Sequence, residues 1–109
     1  MEERDKNVSI INEGCTLEGT FDFTGYVMIA GTIKGTLTAE SVMAEQKSHI
    51  KADSRAEFFT IAGTYEGTLE ITGTLTLLET ARVTAQIRCN KLIVKQGCII
   101  NGKIGPLAD

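Results

Sequence analysis

The sequence predicts an all-β chain: a single-domain parallel β-helix, or solenoid, of about six turns. Three observations carry this. The first is a repeated motif, apolar, any residue, small residue, any residue, apolar. It is present in Gly14-Cys-Thr-Leu-Glu-Gly19, Gly31-Thr-Ile-Lys-Gly35, Gly63-Thr-Tyr-Glu-Gly67 and Gly97-Cys-Ile-Ile-Asn-Gly102, and with alanine in Ile50-Lys-Ala52 and Val83-Thr-Ala85. The second is its period: the small residue falls at 19, 35, 52, 67, 85 and 102, at spacings of 16, 17, 15, 18 and 17. A period of this size is the mark of a solenoid with one repeat per turn, and the slips are expected at corners. The third is alternation, because side chains on a strand point to opposite sides with period two. Two before the anchor stand Leu17, Ile33, Ile50, Tyr65, Val83 and Ile100; two after it stand Phe21, Leu37, Ser54, Leu69, Ile87 and Ile104. These are the predicted inward columns, joined four after the anchor by Phe23, Ala39, Ala56, Ile71 and Cys89. The intervening residues are mostly Thr, Glu, Lys, Arg and Asp, as a wet outer surface requires.

Taken in order, residues 1–7 are charged and poor in apolar side chains, and read as a flexible arm. The β-helix domain is expected over residues 8–105, with a short tail at 106–109. Val8-Ser-Ile-Ile11 forms an apolar strand that covers the first end of the stack. Further apolar runs follow at Tyr26–Ala30, Ser41–Met43, Phe58–Ile61, Leu75–Leu78 and Leu92–Val94, so each turn has at least two strand faces. Ala44-Glu-Gln-Lys47 is too short for a stable helix and reads as a loop between turns. The third turn is the weakest copy, with Ser54 at an inward position flanked by Asp53 and Arg55. Whether the small anchor marks a narrow interior or a bend is open at this level.

Outward residues of neighbouring turns should lie side by side. One before the anchor, Glu18 precedes Lys34, and Lys51 precedes Glu66, with the like-charged Lys34 and Lys51 between; three after it come Arg55, Glu70 and Arg88. Cross-strand pairs contribute about 0.2–1 kcal/mol each, so they fix register more than stability.

Composition excludes several function classes. The 109 residues form one domain with a net charge of −3, which argues against a phosphate-binding surface, so nucleic acid is not an expected partner. No apolar run approaches the ~20 residues of a membrane span and the start lacks a signal-peptide core, so a cytoplasmic location is expected. Cys15, Cys89 and Cys98 read as buried thiols. Cys15 and Cys98 share one inward register about 24 Å apart, beyond disulfide reach. One histidine, His49, at an outward position in line with Thr32 and Thr64, assembles neither a metal site nor a catalytic pair. No catalytic residue, cofactor or metal is expected, and the chain reads as a non-enzyme. Leu17, Phe23 and Ile29 fall six apart, but Gly35 ends that series, so a hexapeptide acyltransferase does not fit. The pairs Thr36-Leu-Thr38 and Thr74-Leu-Thr76 lie in different registers, so they do not make one flat ice- or glycan-binding row.

The last turn departs from the pattern, with Ile99 where earlier turns carry Thr16, Thr32, His49, Thr64 and Arg82. A parallel stack ends in unpaired backbone groups that invite another strand unless capped. The expected contact surfaces are therefore Val8, Ile10, Ile11 and Leu17 at one end and Ile99, Ile100, Ile104 and Leu107 at the other.

Six in-register copies of this motif, ending in Gly97-Cys-Ile-Ile-Asn-Gly-Lys-Ile104, resemble the bactofilins, polymer-forming bacterial cytoskeletal proteins, over Val8 to Ile104. The resemblance implies a right-handed parallel β-helix of triangular section, joined end to end into non-polar filaments without nucleotide. It further implies a scaffold for cell shape or for cell-wall enzymes at the membrane. The implied partners are other copies of the chain, a second bactofilin, cell-wall enzymes or a membrane adaptor. Bactofilins often begin with an apolar and basic membrane-binding segment, whereas Met1–Lys6 is acid-rich. The expectation is that a partner, not this segment, supplies any membrane contact.

Overall fold

The computed structural model describes residues 8–106. The nine strands are β1 (Val8–Ile11), β2 (Thr16–Asp22), β3 (Tyr26–Ile29), β4 (Thr32–Thr38), β5 (Ser41–Ala44), β6 (His49–Ile61), β7 (Thr64–Leu77), β8 (Arg82–Val94) and β9 (Ile99–Pro106). No helix among the described residues is long and apolar enough to cross a membrane.

All pairings are parallel, and they run in register from turn to turn. The anchor makes one continuous ladder, Gly19, Gly35, Ala52, Gly67, Ala85 and Gly102. A second ladder carries the apolar runs. Val8–Ile11 lies beside Tyr26–Ile29, then Ser41–Ala44, Phe58–Ile61, Thr74–Leu77 and finally, from Lys91, the end of β8. These two ladders make the chain a parallel β-solenoid of about six turns, as its period predicts.

The slips in the period fall at corners. Four-residue turns close with Ser48 N–H donating to Glu45 O at 2.9 Å and Ala81 N–H to Leu78 O at 3.0 Å. The equivalent corners at 30–31 and 62–63 hold two residues. The other corners absorb the remaining slips as bulges, between Ala56 and Phe58 in β6 and between Ile71 and Thr74 in β7. A bulge adds a residue without breaking the ladder on either side.

The core is the predicted set of columns. Ile33, Leu37, Ile50, Leu69, Ile71, Val83 and Ile87 are buried, and Val27, Ile29, Val42, Phe59, Ile61, Leu75 and Leu77 close it from the second ladder. Each fully buried aliphatic or aromatic side chain contributes about 1.5–3 kcal/mol. The end turns differ for a geometric reason. Leu17, Phe21, Phe23, Leu92 and Ile100 point inward but are only half-buried, because each lacks a neighbouring turn on one side. Cys15, expected inside, is exposed in the first corner, Cys98 is half-buried in the last one, and Cys89 is buried as expected.

Gly and Ala do different work at the anchor. Gly35 and Gly67 adopt φ of 124° and 130°, and a Cβ on either would run into the carbonyl oxygen of the turn before, Gly19 O or Ala52 O. These glycines are exposed, whereas Ala52 and Ala85 are buried with 6% exposure. The glycine turns are bends that only glycine tolerates, and the alanine turns place a small side chain in a narrow interior.

The weak third turn is a matter of volume. Ser54 lies beside the inward column position of Leu37 and Leu69, and Tyr65, fully buried, stands where other turns have Ile33, Ile50 or Val83. The large ring offsets the small serine. Tyr65 packs edge-on against Phe59, with ring centroids 5.9 Å apart. Its hydroxyl reaches two carbonyls, Ala52 O at 2.8 Å and Thr68 O at 2.7 Å, and its one proton serves one of them at a time. Burial pushes the phenol well above its usual range. The buried Ser54 Oγ makes no hydrogen bond of standard geometry among the described residues, and its proximity to the phenol offsets a little of that rise.

Candidate functional site

The chemistry this chain offers lies in its surfaces. His49 is exposed on an outward column between Thr32 and Thr64, in the register expected for it. Around it the outward face carries two of the ion pairs that the alternating charges predict, Glu18–Lys34 and Arg55–Glu70, while Lys51–Glu66 and Glu70–Arg88 form no salt bridge among the described residues. Arg55 Nε donates to Glu70 Oε1 at 2.9 Å, and Lys34 Nζ approaches Glu18 Oε2 at 4.0 Å. Lys47 Nζ and Glu13 Oε2 meet at 3.0 Å because the two-residue corner between their four-residue turns does not intervene. All are solvated pairs, so each contributes little.

The two ends are different in kind. At the first end, β1 and β2 each pair on one side only. Leu17 and the stacked rings of Phe21 and Phe23, whose centroids are 6.2 Å apart, pack here against the core and are half-buried. Ile11 is buried at 7% exposure. Val8 and Ile10 share columns with Tyr26 and Met28, which alternate with the buried Val27 and Ile29, so they face outward at the edge of this end.

At the other end, β9 and the Lys91-to-Val94 part of β8 also pair on one side only. Ile104 is 47% exposed and Ile99 48%, with Ile100 half-buried between them; Leu107 lies outside the described residues. Two neighbours were missed by sequence reasoning. Val94, 48% exposed, and Leu92 end the inward columns of the second ladder. The signal for both is in the apolar runs, which align as a second set of columns ending in Leu92 and Val94.

These features define a class: an open-ended parallel β-solenoid, without a capping element among its described residues, whose end turns expose the same apolar columns that bind its internal turns together. The family follows from the match. The sequence fits the Bactofilin family, described as polymer-forming cytoskeletal, over residues 9–105, and the chain belongs to that family. Comparison with curated proteins and with solved structures gave no match.

Proposed function

We propose that this bactofilin acts by polymerising end to end into nucleotide-independent, non-polar filaments. In that form it is a cytoplasmic scaffold that supports cell shape or localises cell-wall or membrane partners. The observation that carries this reading is the pairing, at each end, of one-sided strands with exposed apolar columns. One contact is assigned to Val8, Ile10, Ile11 and Leu17, of which Ile11 is buried, Leu17 is half-buried and Val8 and Ile10 face outward at the rim, and the other to Ile99, Ile100, Ile104 and Leu107, with Val94 and Leu92 extending it. Apolar burial at about 25 cal/mol per Å² supplies the attraction, and strand edges supply direction. No step in this reading consumes a nucleotide.

The test is negative-stain electron microscopy of the purified chain and of Ile104→Arg, with and without nucleotide and magnesium. The expected result is filaments of the parent chain in every condition and none from the variant. Because Ile104 is half-exposed in the last turn, the variant should keep its β circular-dichroism spectrum and most of its thermal stability. Filaments from a well-folded Ile104→Arg would overturn the assignment of this end.

A further inference from the structure

The second ladder of the solenoid, over β1, β3, β5 and the second half of β6, breaks the rule that outward positions are polar. Its outward columns read Val8, Tyr26, Ser41 and Phe58, and Ile10, Met28, Met43 and Thr60. Val8, Ile10, Tyr26 and Phe58 are exposed at 56%, 61%, 37% and 47%, and Met28 and Met43 are half-buried between them. Scattered exposed apolar residues are ordinary on a soluble protein, but a contiguous patch marks a contact surface. The Phe58 ring lies close to Gly73 of the next turn, where its Cε1 is 3.3 Å from the place a Cβ would occupy.

Glutamates border the patch at both corners; the cations nearest it are Lys47, paired with Glu13, and Lys91, two rungs beyond Phe58 in the same outward column. Along one corner Glu40 and Glu57 are stacked, with the amides of Glu57 and Phe58 donating to Glu40 O at 3.0 and 2.9 Å. Along the opposite corner lie Glu45 and the pair Glu13–Lys47, in which the lysine is already neutralised. Stacking like charges in neighbouring strands is unfavourable, so the glutamates gain from a cation brought to this corner.

Length also limits the occupant. Four rungs span about 15 Å along the stack, and first to third outward residues about 7 Å across it. An apolar stripe of this length matches two to three turns of a helix.

We propose that this face docks a short amphipathic segment of a partner protein, with an apolar stripe on the Tyr26–Met28–Met43–Phe58 patch and flanking Lys or Arg on Glu40, Glu45 and Glu57. A second copy of the chain, or an anionic bilayer, would bring negative charge against those carboxylates. The Tyr26–Met28–Met43–Phe58 site lies within one subunit and does not rest on polymerisation, whereas Val8 and Ile10, which share its columns, belong to the proposed end contact.

The test uses the full chain and two labelled synthetic twelve-residue peptides with one Leu/Phe stripe, bordered by Lys in the first and by Glu in the second, read by fluorescence anisotropy. The Lys peptide should bind about tenfold or more tightly than the Glu peptide. Phe58→Ser and Tyr26→Ser should each weaken it about tenfold, and Glu40→Gln with Glu57→Gln should flatten its salt dependence. All these positions are at the surface, and an unchanged β circular-dichroism spectrum serves as the check that the variants fold. Equal affinity for the two peptides, or binding unchanged in both serine variants, overturns the proposal. So does binding to phosphatidylglycerol vesicles that is lost in Phe58→Ser, which makes the face a membrane contact, or loss of lateral filament bundling in that variant, which makes it a contact between copies.

Discussion

At the scale of single residues, the anchor column decides how tightly successive turns approach. Gly67 has φ of 130°, and a Cβ there would collide with Ala52 O. Gly67→Ala is expected to cost roughly 2–5 kcal/mol, from backbone strain together with overpacking, measured by denaturant unfolding. Tyr65 gives a second prediction with a pH signature. Tyr65→Phe removes the donor shared by Ala52 O and Thr68 O and should cost about 1 kcal/mol near neutral pH. Because the folded phenol titrates above its unfolded value of about 10, its contribution is complete below that pH and is lost as pH rises beyond it. The parent chain should therefore lose stability above about pH 10 more steeply than Tyr65→Phe, as thermal melts across that range would show. Equal slopes would mean that other groups govern alkaline unfolding.

At the scale of elements, each turn is a set of strands whose volumes must sum to one interior. Ser54 and Tyr65 compensate across β6 and β7. Ser54→Leu alone restores the column consensus yet should cost about 1–3 kcal/mol by overpacking against the ring. Ser54→Leu combined with Tyr65→Ile should recover most of that loss, and a double-mutant cycle with no coupling would reject the pairing. The sequence already marks this turn as unusual through Ser54, but it does not reveal why, because the compensating residue lies in the next turn. The same limit applies to Phe58 and Phe59. Both belong to one apolar run, and the ladder places Phe59 in the core between Val42 and Leu75 while Phe58 faces out.

At the scale of the whole molecule, the proposed filament would carry a built-in reporter of how its subunits are arranged. Cys15 and Cys98 occupy equivalent corners of the first and last turns, one exposed and one half-buried. Head-to-tail stacking would continue the ladder and bring the two within about one rung, ~4.8 Å, inside disulfide range. Non-polar stacking joins like ends and keeps them apart. Mild oxidation of filaments followed by peptide mapping should therefore yield no Cys15–Cys98 bond. A high yield of that bond would make the filament polar. Cys89 stays out of the reaction, because it is buried and burial pushes its thiol upward.

The sequence by itself determined the class of fold, the six turns, their register, the inward columns of the anchor ladder and two of the ion pairs on their outer side. All of these depend on period and alternation, which act between residues at fixed separation and are therefore visible in one dimension. Tertiary structure decided what depends on the third dimension. It separated bending glycines from buried alanines and matched Tyr65 to Ser54. It also left Cys15 in solvent, and it gathered Val8, Ile10, Tyr26, Met28, Met43 and Phe58 onto one face. Burial is a property of what stacks above and below a residue, and an end turn has a neighbour on one side only. Leu17, Val94 and Ile104 therefore carry the pattern of core residues and stand where another molecule can cover them.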